Sequence, residues 1–188
     1  MARKRLVTAI GGAICAVVVS ACGAGEHARY ADNLGPGYVQ VGQLNYQVQV
    51  SRELNPWDPN EDHWYLQGFT KSQLALPVAD EYFGVSLQVY NWTNSAHTPT
   101  RDFFISDTLG DRFKPMTNPV PNPYTYAPQS IPAGGQLPNN SSAAFAGWTQ
   151  GEFLIFEVPY ADLVNRPFIL HIVGGPASSD QSRIELDV

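Results

Sequence analysis

Apolar and polar residues alternate with a period of two through much of the chain from Tyr38 onward. In "LNYQVQV" (residues 44–50), Leu44, Tyr46, Val48 and Val50 fall on one side and Asn45, Gln47 and Gln49 on the other. Successive strand side chains point to opposite faces, so the pattern predicts a half-buried strand with its four apolar residues toward a core. "YFGVSLQVYNW" (82–92) repeats the logic with Phe83, Val85, Leu87 and Val89 inward. Its other face carries Ser86 and Gln88 but also Tyr82, Tyr90 and Trp92, so that face is not simply wet. "RDFFISDTLGDRFKP" (101–115) predicts a strand, a turn around Leu109-Gly110-Asp111 and a return through Phe113. "GEFLIFEVP" and "RPFILHIVGG" are apolar β-rich runs, and "SRIELDV" closes the chain with Ile184, Leu186 and Val188 alternating against charges.

No segment has the 3.6-residue periodicity of a helix longer than about two turns. The 15 prolines and 16 glycines recur between the alternating runs, as all-β connections require. Seven to eight short strands with turn-rich links predict an all-β, immunoglobulin-like antiparallel sandwich over residues 38–188, with a closed barrel as the competing architecture. Its core should include Val85, Leu87, Val89 and Phe156. The proline-rich stretch at 114–135 reads as a rigid, extended crossover between sheets, with a recognition surface as the alternative.

The beginning of the chain follows a different pattern. Ala2 is followed by three basic residues, Arg3, Lys4 and Arg5, and then by an apolar run from Leu6 to Val19. A run of about 14 residues is shorter than the roughly 20 that span a bilayer as a helix. Basic head, short apolar middle and small residues at the end predict a secretory signal over residues 1–21. Val19-Ser20-Ala21-Cys22 resembles the lipobox of bacterial lipoproteins, an aliphatic residue and two small ones before a cysteine. The resemblance implies a diacylglyceryl group on the Cys22 sulfur and cleavage that leaves Cys22 first. Two or more acyl chains hold a protein stably to a bilayer where one does not. Cys15 would leave with the signal, so the mature chain would contain no disulfide. Residues 22–37, small, polar and glycine-rich, read as a flexible tether.

Loss of the signal changes the charge. It removes three basic residues and no acid, so eight Lys/Arg face 17 Asp/Glu and the formal charge moves from −6 to −9. Nucleic-acid binding needs clustered Lys/Arg, and this balance argues against it.

Candidate chemistry is sparse. Asp58, Asn60 and Asp62 in "NPWDPNEDHWYLQG" match the opening of a calcium loop, which draws oxygens from alternate positions. The match ends there, because His63 stands where the loop needs glycine and Phe69 where it needs glutamate. The bland alternative is local hydrogen bonding that pins the loop. His27, His63, His97 and His171 show no metal-ligand spacing, and the mature chain holds one methionine, Met116. No G-x-S-x-G, S-x-x-K or H-E-x-x-H motif occurs. Asp107, Asp111, Glu152 and Glu157 are the acids from which a glycosidase pair could be drawn, though solvated acids are ordinary at turns and on alternating strands. No catalytic residue and no cofactor are therefore assigned. Aromatics are the remaining signal: Trp57, Trp64, Tyr65, Tyr124, Tyr126 and Trp148, with Tyr90 and Trp92, lie in loops, at strand ends or on the polar side of strands. They either cover the second face of a sheet or form a binding patch.

"YQVQVSRELNPWDPNEDHWYLQG", "YFGVSLQVYNWTNS", "FFISDTLGDRFKP", "IPAGGQLP" and "GEFLIFEVP" occur in an order that resembles a group of bacterial lipoproteins with an Ig-like domain of unknown function. The resemblance covers residues 38–172 and implies fold and location, not an activity. Together these features predict a lipid-anchored, extracytoplasmic binding module with a protein or glycan partner and no enzymatic role. The alternatives are a cell-envelope glycan hydrolase and an accessory structural subunit of an envelope complex.

Overall fold

The computed structural model of the chain describes residues 29–31, 37–59, 62–175 and 180–186. The expected signal, Cys22, His27, Asn60 and Val188 lie outside the described residues. The alternating segments form strands, in chain order β1 (Arg29–Ala31), β2 (Val39–Val41), β3 (Leu44–Leu54), β4 (Asp80–Tyr90), β5 (Asp102–Ser106), β6 (Arg112–Phe113), β7 (Gln136–Leu137), β8 (Glu152–Pro159), β9 (Phe168–Val173) and β10 (Gln181–Leu186). Two single-turn helices, α1 (Asp62–Tyr65) and α2 (Ala143–Ala146), and a 3-10 turn at Tyr160–Val164 fill connections.

The strands make the two layers of a β-sandwich. Sheet I has the order β1-β10-β9-β5-β6. Sheet II runs β2-β3-β4, and the far side of β4 is shared by β8 along residues 80–87 and by β7 at residues 89–90. All pairings are antiparallel except β1, which lies parallel to β10 with Arg29 opposite Ser182. The count of strands exceeds the predicted seven to eight through edge pieces of two or three residues, too short for alternation to register. β1 also falls inside the stretch expected to be tether. An open strand edge recruits any backbone through its N–H and C=O groups, whatever the side-chain pattern.

The interior between the sheets is apolar. Val85 and Val89 of β4 and Phe156 of β8 are 0% exposed and Leu87 1%, so the four expected core residues are buried there. Phe103, Ile105, Phe168, Leu170, Ile172, Ile184 and Leu186 face them from sheet I. Burial of such side chains contributes roughly 1.5–3 kcal/mol each.

One predicted face is corrected. Val48 pairs with Leu87 but Val50 pairs with Ser86, so Gln49 is an extra residue, a β-bulge. A bulge reverses the sense of alternation beyond it. Val50 and Leu54 therefore leave the sandwich interior and join a second apolar cluster on the outside of sheet II with Tyr82, Phe153 and Ile155. Residues 55–79 cover that cluster with Tyr65, Leu66 and Phe69, assisted by Met116 and Tyr124. Gly84 permits the close fit: a Cβ there would lie 2.8 Å from Leu54 Cδ1 and 3.0 Å from Phe153 Cδ1.

The proline-rich crossover passes from β6 to β7 along the outer edge of β8. Met116 N–H donates to the Ile155 carbonyl at 2.6 Å, Tyr126 N–H to that of Phe153 at 2.9 Å, and Phe153 N–H to that of Tyr124 at 2.7 Å. It thus closes an edge that would otherwise offer unpaired backbone groups. Asn122 ties it to the cover segment, its amide donating to the Trp64 carbonyl at 2.9 Å and to that of Gln67 at 2.8 Å.

Candidate functional site

The acidic loop resolves into a structural anchor. Asp62 opens α1 and is 4% exposed. Its Oδ1 accepts from Arg52 Nη2 at 2.5 Å and its Oδ2 from the Asn55 N–H at 2.7 Å. The charge that a calcium ion would neutralise is matched by a guanidinium, and both oxygens are engaged. Asp58 caps a turn through its own N–H to the Asn55 carbonyl at 3.0 Å, and its carbonyl lies 3.2 Å from His63 Nδ1.

The four acids considered for hydrolysis do not form a facing pair across a cleft. Glu152 and Glu157 lie an odd number of residues apart on β8 and so point to opposite faces of sheet II. Glu152 lies opposite Leu87, toward the sandwich interior, and Glu157 opposite Tyr82. Burial pushes the Glu152 carboxyl up to about 7, partly opposed by the Ala127 N–H that it accepts at 3.1 Å. Asp107 holds the β5–β6 turn: Oδ1 accepts from the N–H groups of Leu109, Gly110 and Asp111 at 3.0, 2.8 and 2.8 Å, and Oδ2 accepts from Asn165 at 3.0 Å. Asp111 and Asp162 bring their carboxylates within 4.8 Å of it. With four N–H donors on Asp107, that cluster is accounted for as turn chemistry.

A Ser–His contact that the sequence did not reveal lies on the outer face of sheet I. Ser106 Oγ is 2.8 Å from His171 Nε2, and Gln181 Nε2 is 3.3 Å from Nδ1. The imidazole stacks on Phe104 at 4.1 Å, with Arg112 on the same Phe104 ring at 4.9 Å. Burial, then Arg183 and Arg112, lower the His171 pKa to about 4. In this contact Nδ1 faces an amide rather than the carboxylate that orients a catalytic imidazole.

The aromatics divide by burial. Tyr65 stacks on Phe153 at 4.1 Å and meets Tyr124 edge-on at 5.8 Å, so both cover the outer cluster. Tyr126 donates from its hydroxyl to the Thr100 carbonyl at 2.9 Å and packs edge-on against Phe103. Trp57, Trp64 and Trp148 are exposed at 87, 45 and 92%. Trp57 and Trp64 belong to the β3–β4 connection and Trp148 to the β7–β8 connection, and no ring contact joins the three among the described residues.

A contiguous aromatic surface exists elsewhere. Tyr38, Tyr90 and Trp92 form a three-ring cluster, Tyr38 to Tyr90 at 5.4 Å, Tyr38 to Trp92 at 5.1 Å and Tyr90 to Trp92 at 5.9 Å. Tyr38 is 41% and Trp92 60% exposed. Beside them the outer face of sheet II, on the Tyr90 side of the bulge, presents Gln40, Asn45, Gln47, Gln49 and Gln136. Gln40, Asn45, Tyr90 and Gln136 stand directly opposite one another across β2, β3, β4 and β7. The hydroxyl of Tyr90 donates to Gln88 Oε1, and Gln88, 4% exposed, donates from Nε2 to the Gln150 carbonyl at 2.5 Å. The platform is thereby fixed from below. Trp92 and Tyr90 were noted in the sequence. Tyr38 and the amides were missed as members of a site, being read only as the strand's entry and its solvent-facing spacers.

No protein-family model and no curated protein sequence matches the chain. Solved structures share its fold. The yjhA protein from Bacillus subtilis aligns with a TM-score of 0.51 at 10% identity, over 81% of this chain and 97% of that one. MPT63, a secreted protein from Mycobacterium tuberculosis, gives 0.49 at 14%, over 86% and 99%. A candidate lipoprotein of Bacillus subtilis, ycdA, gives 0.48 at 10%, over 80% and 38%. At such identities the likeness is one of fold, a β-sandwich, and carries no site residue across.

A concavity of about 670 Å³ lies along the proline-rich crossover, with Met116, Val120, Tyr126 and Phe153 in its lining and Arg101 and Lys114 at its exposed positions. Its apolar floor is the same surface that seals β8.

Proposed function

We propose that the chain is an extracytoplasmic binding module, held to the membrane by a lipid on Cys22, which engages its partner through the Tyr38–Tyr90–Trp92 surface and performs no chemistry on it. The anchor rests on the basic head, the short apolar run and Val19-Ser20-Ala21-Cys22. The binding role rests on the aromatic cluster. Three rings held together beside a sheet face, two of them well exposed and the third pinned by a hydrogen bond to the buried Gln88, give large contact area at little entropic cost. A binding role without chemistry is supported by the use of Asp62, Asp107 and His171 in local structure. With β1 formed, six residues separate Cys22 from Arg29, a reach of at most roughly 25 Å. A module so attached would work close to the headgroups.

Two measurements test this. Cys22→Ser should move the protein from the membrane to the soluble fraction or stall it uncleaved; normal processing with retention in the membrane would refute the anchor. A photo-cross-linking residue placed at position 92 of the full chain in intact cells should give adducts, of protein or of glycan. The same residue at exposed position 160, at the far end of β4 some 30 Å away, should give none. Equal yields at the two positions would refute the binding surface.

A further inference from the structure

From the composition of this surface we infer its ligand class: a neutral, polyhydroxylated chain, that is, an uncharged glycan. The inference rests on the binding reading above and goes further by naming what binds.

The accessible face contains five amides, Gln40, Asn45, Gln47, Gln49 and Gln136, and three aromatics, Tyr38, Tyr90 and Trp92, with no Asp, Glu, Lys or Arg among them. A charged partner is normally met by opposite charge, and this face has none to offer. An apolar protein partner would have to cover side-chain amides, each with two N–H donors and two acceptor lone pairs. Burying one unpaired is unfavourable, because its hydrogen bonds to water are lost without replacement. The fitting partner presents donors and acceptors densely and without net charge. Hydroxyl groups do so, because each both donates and accepts. A sugar ring adds what the aromatics need: hydroxyls around its equator and C–H groups on its faces, which lie against π surfaces.

The geometry suits a chain rather than a single ring. The row Gln40–Asn45–Tyr90–Gln136 crosses four adjacent strands, roughly 14 Å at the usual strand spacing. Several of its amides are oriented in advance. Gln40 Nε2 donates to the Gly42 carbonyl at 3.2 Å, Gln49 Nε2 to Gln47 Oε1 at 2.8 Å and Gln136 Nε2 to the Pro138 carbonyl at 3.3 Å. Each such bond fixes the plane of its amide, so less freedom is lost when a ligand binds.

The test titrates the complete mature chain with soluble neutral polysaccharides (mannan, galactan and β-1,3-glucan) and with polygalacturonate and heparin as charged counterparts, following tryptophan fluorescence and heat. At least one neutral polymer should bind, with affinity that added salt changes by less than about twofold. Trp92→Ala, at an exposed position that should not disturb folding, should weaken that binding by at least about tenfold, and Trp148→Ala should leave it unchanged. Binding by none of the neutral polymers, preference for the charged ones, strong salt dependence, or an unaffected Trp92→Ala variant would each overturn the inference. Protein adducts at position 92 without polysaccharide binding would keep the binding surface and discard the glycan. Equal cross-linking at positions 92 and 160 would discard both.

Discussion

Replacement of Glu152 by glutamine should change how stability depends on pH, and its size follows from where the carboxyl sits. Glu152 begins β8 at 6% exposure, on the face that looks into the sandwich, and accepts one hydrogen bond, from the Ala127 N–H. Burial disfavours the charged form more than that bond favours it, so the pKa rises from 4.5 to about 7. A carboxyl with a raised pKa binds its proton more tightly when folded. Its contribution to stability is therefore fully present below about pH 4.5 and lost as the pH climbs through 7. A gap of roughly 2.5 pH units corresponds to on the order of 3 kcal/mol. His171 acts in the opposite sense: its pKa falls from 6.5 to about 4, so its effect is to weaken the fold as the pH drops through that range. The two partly cancel in the native chain, and only the difference between variant and native protein isolates Glu152. Urea unfolding of both proteins at intervals from pH 4 to 8 measures it. Glu152→Gln should gain on the native chain by about 1–2 M in urea midpoint across that span, given an ordinary dependence on denaturant. A constant offset between the two proteins at all pH values would refute the assigned burial of this carboxyl.

Two further substitutions probe the cover over sheet II. Asp62→Ala removes the acceptor of both Arg52 and the Asn55 N–H, and should lower stability by about 1–3 kcal/mol. Millimolar calcium should leave the melting temperature of the native chain unmoved; a rise that Asp62→Ala abolishes would make this loop a metal site after all. Gly84→Ala places a methyl 2.8 Å from Leu54 Cδ1 and should cost about 1–3 kcal/mol through overpacking, read from the same urea curves. A neutral or stabilising result would mean that the outer cluster is looser than the contacts imply.

What the sequence revealed, it revealed through periodicity. Phe83, Val85, Leu87 and Val89 could be placed because alternation is a direct consequence of strand geometry, and they are buried as expected. The turn at Asp107–Asp111 could be placed because Gly110 sits at φ 96°, which glycine adopts without strain. Alternation cannot report an inserted residue, however, and Gln49 turned Val50 from an expected core residue into a member of the outer cluster. Loops have no period at all. Tyr65 and Trp57, eight residues apart in one polar segment, were indistinguishable by pattern, yet one is 5% and the other 87% exposed. The amides of the face proposed to bind glycan were legible only as spacers, since a Gln that faces water and a Gln that faces a ligand occupy the same strand position.

The bulge that misled the pattern also explains why the open surface lies where it does. Beyond Gln49, β3 turns Val50 and Leu54 outward next to Tyr82, and an apolar outer face must be covered. Residues 55–79 do this with Tyr65, Leu66 and Phe69. Before Gln49, the same side of the same strand carries Asn45 and Gln47, whose amides would lose hydrogen bonds to water under an apolar cover. The cover segment therefore has no favourable contact to make there. The bulge at Gln49 stands at the boundary, on one sheet face, between a sealed half, which stabilises the fold, and a polar, aromatic-edged half that remains accessible. Deleting Gln49 would restore strict alternation from Leu44 to Leu54. With Val48 facing the interior, Val50 would then be its direct neighbour and still face outward, so the deletion would remove the bulge and keep residues 55–79 over the apolar half they already cover.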